Sequence, residues 1–370
     1  MPLSKIVAKS ITDDTITTDQ IADTAVHGRR NLFINGAMQV AQRGTSITGV
    51  GIDDYALDRW KQWASSGSET GRSTITQETI TDLAGFSKAM KIQVTTADTS
   101  LGSTDALAMM QRIEAQNILQ FGIGTSNSKT LTLSVYAKAP TGNGTYCMGI
   151  AMPGGGHYVE EITVGTSWSR HEINIPATTT SSHATTATGT SNGMQAFIAL
   201  CAGSARNTAT NGAWGSGANI IGTTNQSNFY SSTSNNLWLT GWQLEVGDKA
   251  TPFEHRSYSE ELESCKRYFQ KVNDVWFNAN RHGDDNWDGH IPAGHHEFHP
   301  EMRAAPSASN VDIDGWLDNT NSWTSTATTA ASPTGMTSKK VNFTGVWNWH
   351  GNYNDTHAFR IYTAEFEAEV

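Results

Sequence analysis

The sequence predicts a mainly β protein: a central jelly-roll or β-sandwich, an amino-terminal oligomeric attachment segment and a smaller carboxyl-terminal β-rich domain. Three observations predict this. Charged residues make up only 16% of the 370 residues, and Thr, Ser, Asn, Gly and Ala stand in their place. That mixture suits turns and β-surfaces, whereas helix surfaces draw on Glu, Lys, Arg and Gln. Second, apolar residues recur at period two in short runs. The clearest is Leu131-Thr132-Leu133-Ser134-Val135-Tyr136, in which Leu131, Leu133 and Val135 share one face. Third, stretches rich in Gly, Ser, Thr and Asn at 178–190 and 202–234 separate such runs, as long loops separate the strands of a sandwich.

Residues 1–28 carry Ile11, Ile16, Ile21 and Val26, five apart among Thr and Asp. Five is the period of neither a strand nor an α-helix. So thin an apolar series buries too little to offset its own chain entropy as a monomer. Packing against other chains is its best use, and a disordered leader is the alternative. A homotrimer is expected, because three chains bury what one cannot.

Residues 29–256 form the predicted sandwich. Asn31-Leu32-Phe33-Ile34-Asn35-Gly36 reads as a strand running into a turn, and further strands are expected at 91–95, 129–138, 171–175, 195–201 and 236–246. Residues 105–118 read as a helical insertion. A short linking helix is predicted within 257–271, where Ser257 and Glu260 have capping-box spacing and Leu262, Cys265 and Phe269 fall on one side. Residues 272–370 form the β-rich end domain, with Trp276, Trp287, Trp316, Trp323, Trp347 and Trp349 as bulky core material.

Composition excludes several function classes. Lys and Arg number 25 against 35 Asp and Glu, a formal net charge of −10, with no basic run, so no nucleic-acid partner is expected. No apolar stretch reaches membrane-spanning length, and Met1-Pro2-Leu3-Ser4-Lys5 leads into polar residues, not a secretory segment. The three cysteines form no C-x-x-C and are expected to be reduced. These features predict a chain folded in a cytoplasm and released by lysis.

Asn31-Leu32-Phe33-Ile34-Asn35-Gly36-Ala37-Met38-Gln39-Val40-Ala41-Gln42-Arg43-Gly44, followed by Tyr55-Ala56-Leu57-Asp58-Arg59-Trp60, resembles the opening of a bacteriophage tail-fibre and structural-protein family. Trp242-Gln243-Leu244-Glu245-Val246-Gly247 and Ala250-Thr251-Pro252-Phe253-Glu254-His255-Arg256 resemble its second motif. The segments 260–270 and 300–306 are similar to its usual sequel. The resemblance implies a carbohydrate-binding-like jelly roll within a trimeric fibre, joined to other tail proteins through the amino-terminal segment and located in the virion tail. On this reading the chain is a non-enzymatic structural subunit of a tail fibre or spike that recognises a host-surface glycan. The alternatives are a connector without receptor contact and a glycan depolymerase. Read physically, Trp60, Trp242 and Phe253 are packing anchors, while Asp58, Arg59 and Arg256 close buried polar contacts.

The candidate sites follow from side-chain chemistry. His295, Glu297 and His299 share a face if their segment is a strand, a spacing that offers ligands to a structural divalent metal. Some trimeric phage fibres bind axial metal through paired histidines at alternating positions, and here Glu297 takes the intermediate place. No other cofactor is expected. A sugar packs its apolar face on an aromatic ring while polar groups take its hydroxyls; Trp214, Tyr230, Trp238, Trp287 and Trp316 are the candidate rings. Asp284, Asp285, Asp288, Glu297, Asp312 and Asp314 supply carboxylates, but glycoside hydrolysis needs two acids at a defined separation, and no acid pair, Gly-x-Ser-x-Gly or phosphate loop stands out.

Overall fold

The computed structural model describes residues 29–51, 53–65, 67–279, 293–318, 323–326, 331–345 and 356–369. The attachment segment 1–28 lies outside them. The chain divides into two compact units: one takes the chain up to Gln39, Ser46–Ala56 and Trp60–Arg256; the other takes Val40–Thr45, Leu57–Arg59 and the chain from Ser257.

The first unit is a β-sandwich of jelly-roll topology. Its strands are β1 (Ser46–Val50), β2 (Asp54–Tyr55), β3 (Lys61–Ala64), β4 (Arg72–Thr79), β5 (Lys88–Thr96), β6 (Ala106–Glu114) and, after the single turn α1 (Ala115–Ile118), β7 (Leu131–Thr141). They continue as β8 (Gly144–Ala151), β9 (Gly156–Val164), β10 (Ser169–Ile175), β11 (Asn192–Ala202), β12 (Ala213–Ser216) and β13 (Asn236–Val246). One sheet has the order β1-β4-β5-β13-β7-β10, the other β12-β9-β8-β11-β6-β3-β2. The last strand, β13, thus slots between β5 and β7 and joins elements far apart in sequence. On β7 the period-two pattern works as written: Leu131, Leu133, Val135, Ala137 and Ala139 are buried, while Tyr136 and Lys138 on the opposite face are half-buried.

The helical reading of 105–118 is corrected: nearly all of it is β6, and only Ala115–Ile118 is helical. The cause is burial on both faces. Residues 202–228 fold over the seven-stranded sheet, where Thr223 donates its N–H to Cys147 Sγ at 3.3 Å and Gln226 Oε1 accepts the Cys147 N–H at 2.8 Å. Ile221 joins Ala106, Ala108, Met110, Phe197 and Ala199 in a second apolar layer there. A strand buried on both sides loses its alternation and reads like a buried helix.

Asn31-Leu32-Phe33 is likewise not a strand but an irregular segment laid along β13. The Leu32 N–H donates to the Leu244 carbonyl at 3.0 Å, and the Asn31 side chain continues the pairing. The Glu254 carboxylate accepts the Arg30 and Asn31 N–H groups, while Arg256 donates to the carbonyls of Asn31 and Phe33. Beneath this latch Phe33, Trp60 and Trp242 pack with ring centroids 5.1–5.7 Å apart, all fully buried. Gly36 is obligatory: a Cβ there would lie 2.4 Å from the Trp242 carbonyl oxygen.

The second unit opens with α2 (Tyr258–Lys266), whose Ser257–Glu260 capping box is formed in both directions. Its strands are β14 (Phe269–Ala279), β15 (Ala293–Glu297), β16 (Ser307–Asp318), β17 (Trp323–Thr326), β18 (Ala331–Thr334), β19 (Lys340–Gly345) and β20 (Thr356–Glu367). They form sheets of order β14-β20-β16-β17 and β15-β19-β18. Val272, Phe298, Met302, Val341, Phe343, Ile361 and Phe366 make its core.

The segments 40–45 and 57–59 belong to this unit because their polar side chains are satisfied there. Gln42 donates to Asp58 and to the Phe269 carbonyl. Arg43 lies over the Phe269 ring and pairs with Glu367 and Glu369, and Arg59 lies 3.5 Å from the Tyr268 ring centroid and pairs with Glu369. Burial pushes the Asp58 carboxyl above its usual range despite the Gln42 hydrogen bonds. Among the described residues no helix is long and apolar enough to cross a membrane.

Candidate functional site

The outer face of the six-stranded sheet gathers aromatic and cationic side chains. Register sets Lys91 of β5 opposite Trp238 of β13, and Trp238 opposite Lys138 of β7. Trp168, one residue before β10, continues the row, since its neighbour Ser169 pairs with Ala137. The result is a cross-strand ladder: Lys91 Nζ stands 5.4 Å from the Trp238 ring centroid, and Lys138 Nζ stands 4.9 Å from Trp238 and 4.8 Å from Trp168. Each such contact contributes about 0.5–1 kcal/mol at a solvent-facing site.

The turn between β4 and β5 closes one side. Asp82 accepts hydrogen bonds from Lys138 Nζ at 2.5 Å and from the Trp168 indole N–H at 3.0 Å. These two bonds, Lys138 first, hold its carboxyl below the ordinary aspartate range. Ile80 and Phe86 of the same turn are buried over Ala89. Phe86 in turn packs on Tyr136 and Phe253 at 5.1 and 5.0 Å, so the indoles rise from an aromatic floor. The floor depends on a bulge in β13 at Gly241, whose φ is +65°. A Cβ there would lie 2.7 Å from both Phe86 and Tyr136.

Both tryptophans are half-buried. They are anchored yet leave indole surface to solvent, with Lys, Asp and Asn side chains alongside; Trp238 Nε1 donates to Asn236 Oδ1 at 3.3 Å. Apolar ring surface beside fixed donors and acceptors is chemistry that suits a sugar.

Of the rings named from sequence whose side chains are described, Trp238 alone stands on this face. Trp214 is half-buried at the edge of the other sheet, stacked on His183 at 5.1 Å with its N–H donated to the Pro176 carbonyl. Tyr230 is a correction: it is fully buried, and its hydroxyl donates to Gln62 and Ser73, so its ring cannot meet a ligand. Trp287 lies outside the described residues; Trp316 lies on β16, but its side chain is outside them. Trp168, Lys91, Lys138 and Asp82 were missed. Tyr136 and Lys138 had a readable signal, being the alternate positions to Val135 and Ala137.

The proposed metal ligands come close without converging. Glu297 ends β15 and stands 3.9 Å from His295 Nε2 and 3.6 Å from His299 Nε2, with the three side chains 59–82% exposed. These are solvated contacts, and among the described residues no group of three or more His, Cys, Asp or Glu side chains is placed to hold a metal ion.

No protein-family model matches this sequence, and no curated protein matches it. Solved structures do show similarity. A family 11 carbohydrate-binding module from Clostridium thermocellum is 12% identical, with a TM-score of 0.28 over 56% of this chain and 99% of that one. A "putative sugar binding protein" from Bacteroides thetaiotaomicron is 15% identical, with a TM-score of 0.31 over 59% and 100%. The enzymatically active domain of a tailspike protein from bacteriophage CBA120 is 11% identical, with a TM-score of 0.28, and the match takes in 58% of this chain and 21% of that one.

Proposed function

We propose that this chain is a non-enzymatic structural subunit of a bacteriophage tail fibre or spike, and that the Trp168–Trp238 face of its sandwich recognises a bacterial surface glycan. The observation that carries the glycan reading is the ladder of indoles and ammonium groups held on one sheet face. The fibre role is supported by the motif residues at 31–44 and 242–256, which build the latch of the sandwich. The non-enzymatic reading is supported by Asp82. A glycosidase acid needs a raised carboxyl pKa, and Asp82, the carboxylate bonded to the ladder, is held low by its hydrogen bonds to Lys138 and Trp168. The chain acts as a homotrimer in the virion tail, with residues 1–28 joining it to other tail proteins.

The test uses purified full-length chain against extracted surface polysaccharides from a panel of bacteria, scored for binding and for new reducing ends. Binding without cleavage, lost in the W168A/W238A double variant, is the expected result. Release of reducing ends overturns the non-enzymatic reading, and binding unaffected by the double variant overturns the site. Light scattering tests the trimer, which a stable monomer at micromolar concentration refutes.

A further inference from the structure

The charges on this face are not equally satisfied. Lys138 has Asp82 at 2.5 Å. Lys91, the first rung of the ladder, is half-buried between Thr76 and Trp238 in register, and no carboxylate among the described residues lies within ion-pair distance of it. Its ammonium is thus held at the Trp238 ring alone, in a chain whose acids outnumber its bases 35 to 25.

We propose that the glycan recognised here is acidic, its carboxylate pairing with Lys91 while its ring packs on Trp238; this rests on the reading of the face as a glycan site. The argument is one of exchange. A sugar that takes the indole face displaces the ammonium from it, and the cation–π contact is lost. A neutral sugar returns only hydroxyl hydrogen bonds to that ammonium. A uronate returns a charge-assisted bond from a carboxylate carried on the same ring. Aromatic rings interleaved with cations also describe single-stranded nucleic-acid sites, but a polyphosphate needs a continuous cationic track. Here Glu78 and Glu172 share the face with the lysines and Arg170 by strand alternation, and Asp82 joins them from the turn after β4, so isolated negative charges suit it better than one on every unit.

Hexamers of galacturonate and of mannuronate, each beside its carboxyl-reduced counterpart, and a decamer of thymidylate are the probes, titrated into full-length protein by calorimetry at low and high salt. The acidic hexamers should bind about fivefold tighter than their reduced forms, with the difference shrinking at high salt. K91Q, at unchanged melting temperature, should bring the two affinities together. Equal affinity for acidic and reduced forms, a ratio untouched by K91Q, or preference for the thymidylate overturns the acidic-glycan assignment and leaves the face as a binding site. Failure of every probe to bind overturns both.

Discussion

Asn31 meets Trp242 as a length of backbone would: its Nδ2 donates to the Trp242 carbonyl at 2.8 Å while its Oδ1 accepts the Leu244 N–H at 3.1 Å. One side chain thereby satisfies two buried main-chain groups on the inner stretch of β13. Substitution by Ala leaves both without partners, and unsatisfied buried groups are costly. N31A should lower unfolding free energy by roughly 2–3 kcal/mol in urea denaturation, and N31D, which keeps the acceptor but sets a carboxylate oxygen against the Trp242 carbonyl, should cost at least as much.

The aromatic cluster under the latch should be as sensitive. Trp60 is fully buried against Phe33 and Trp242 and donates its indole N–H to the Asn35 carbonyl at 3.0 Å. W60A should destabilise the first unit by about 3–5 kcal/mol, read as a lower denaturation midpoint with loss of near-ultraviolet circular dichroism.

Acid should loosen the same latch. Burial pushes the Glu254 carboxyl up, yet the N–H groups of Asn31 and Arg30 and the Arg256 guanidinium together hold it below the ordinary glutamate value. A depressed folded-state pKa contributes stability above the unfolded value and loses it as pH falls through the folded one. The melting temperature should therefore drop as pH falls below the ordinary glutamate value of about 4.3, and less steeply in E254Q. An E254Q profile as steep as wild type would show that other carboxylates govern acid unfolding.

Gly241 ties the bulge in β13 to the binding face. G241A combines a φ of +65° with a Cβ driven into Phe86 and Tyr136, and should cost about 2–3 kcal/mol. Its binding of surface polysaccharide should weaken even below the melting transition, because the floor beneath Trp238 is displaced.

The thiols should be silent in the native protein. Cys147, Cys201 and Cys265 are buried and unpaired, and burial raises all three, Cys201 to about 12. Ellman's reagent should react with none of them in buffer and with three per chain in guanidinium.

How much of this was legible varied with how local the cause was. The strand 236–246 and the Ser257–Glu260 capping box were readable because alternation and cap spacing reside in adjacent residues. The same rule misassigned 105–118, since the cover that buries the outer side of β6 comes from residues 202–228. The motif at Asn31 looked like a strand because its side chain substitutes for one. Of the site, Trp238 could be singled out as an aromatic flanking the polar loop region 202–234. Its partners could not: Lys91, Lys138 and Trp168 become neighbours only through the strand order β5-β13-β7-β10, which no local pattern encodes. Tyr230 failed as a candidate because its polar surroundings in sequence, Asn228 and Ser231 to Ser234, gave no hint of Gln62 and Ser73 closing over its hydroxyl.

The latch also has a mechanical meaning. The segment at Arg30 and Asn31 is bonded directly to the segment at Glu254 and Arg256, so the sandwich is a closed loop clipped at its neck. Tension applied between those two stretches is shared first by the bonds that clip them together. The strands strung between them stay slack until the clip gives way. Such a domain can sit in a loaded chain while its Trp168–Trp238 face keeps its unloaded shape.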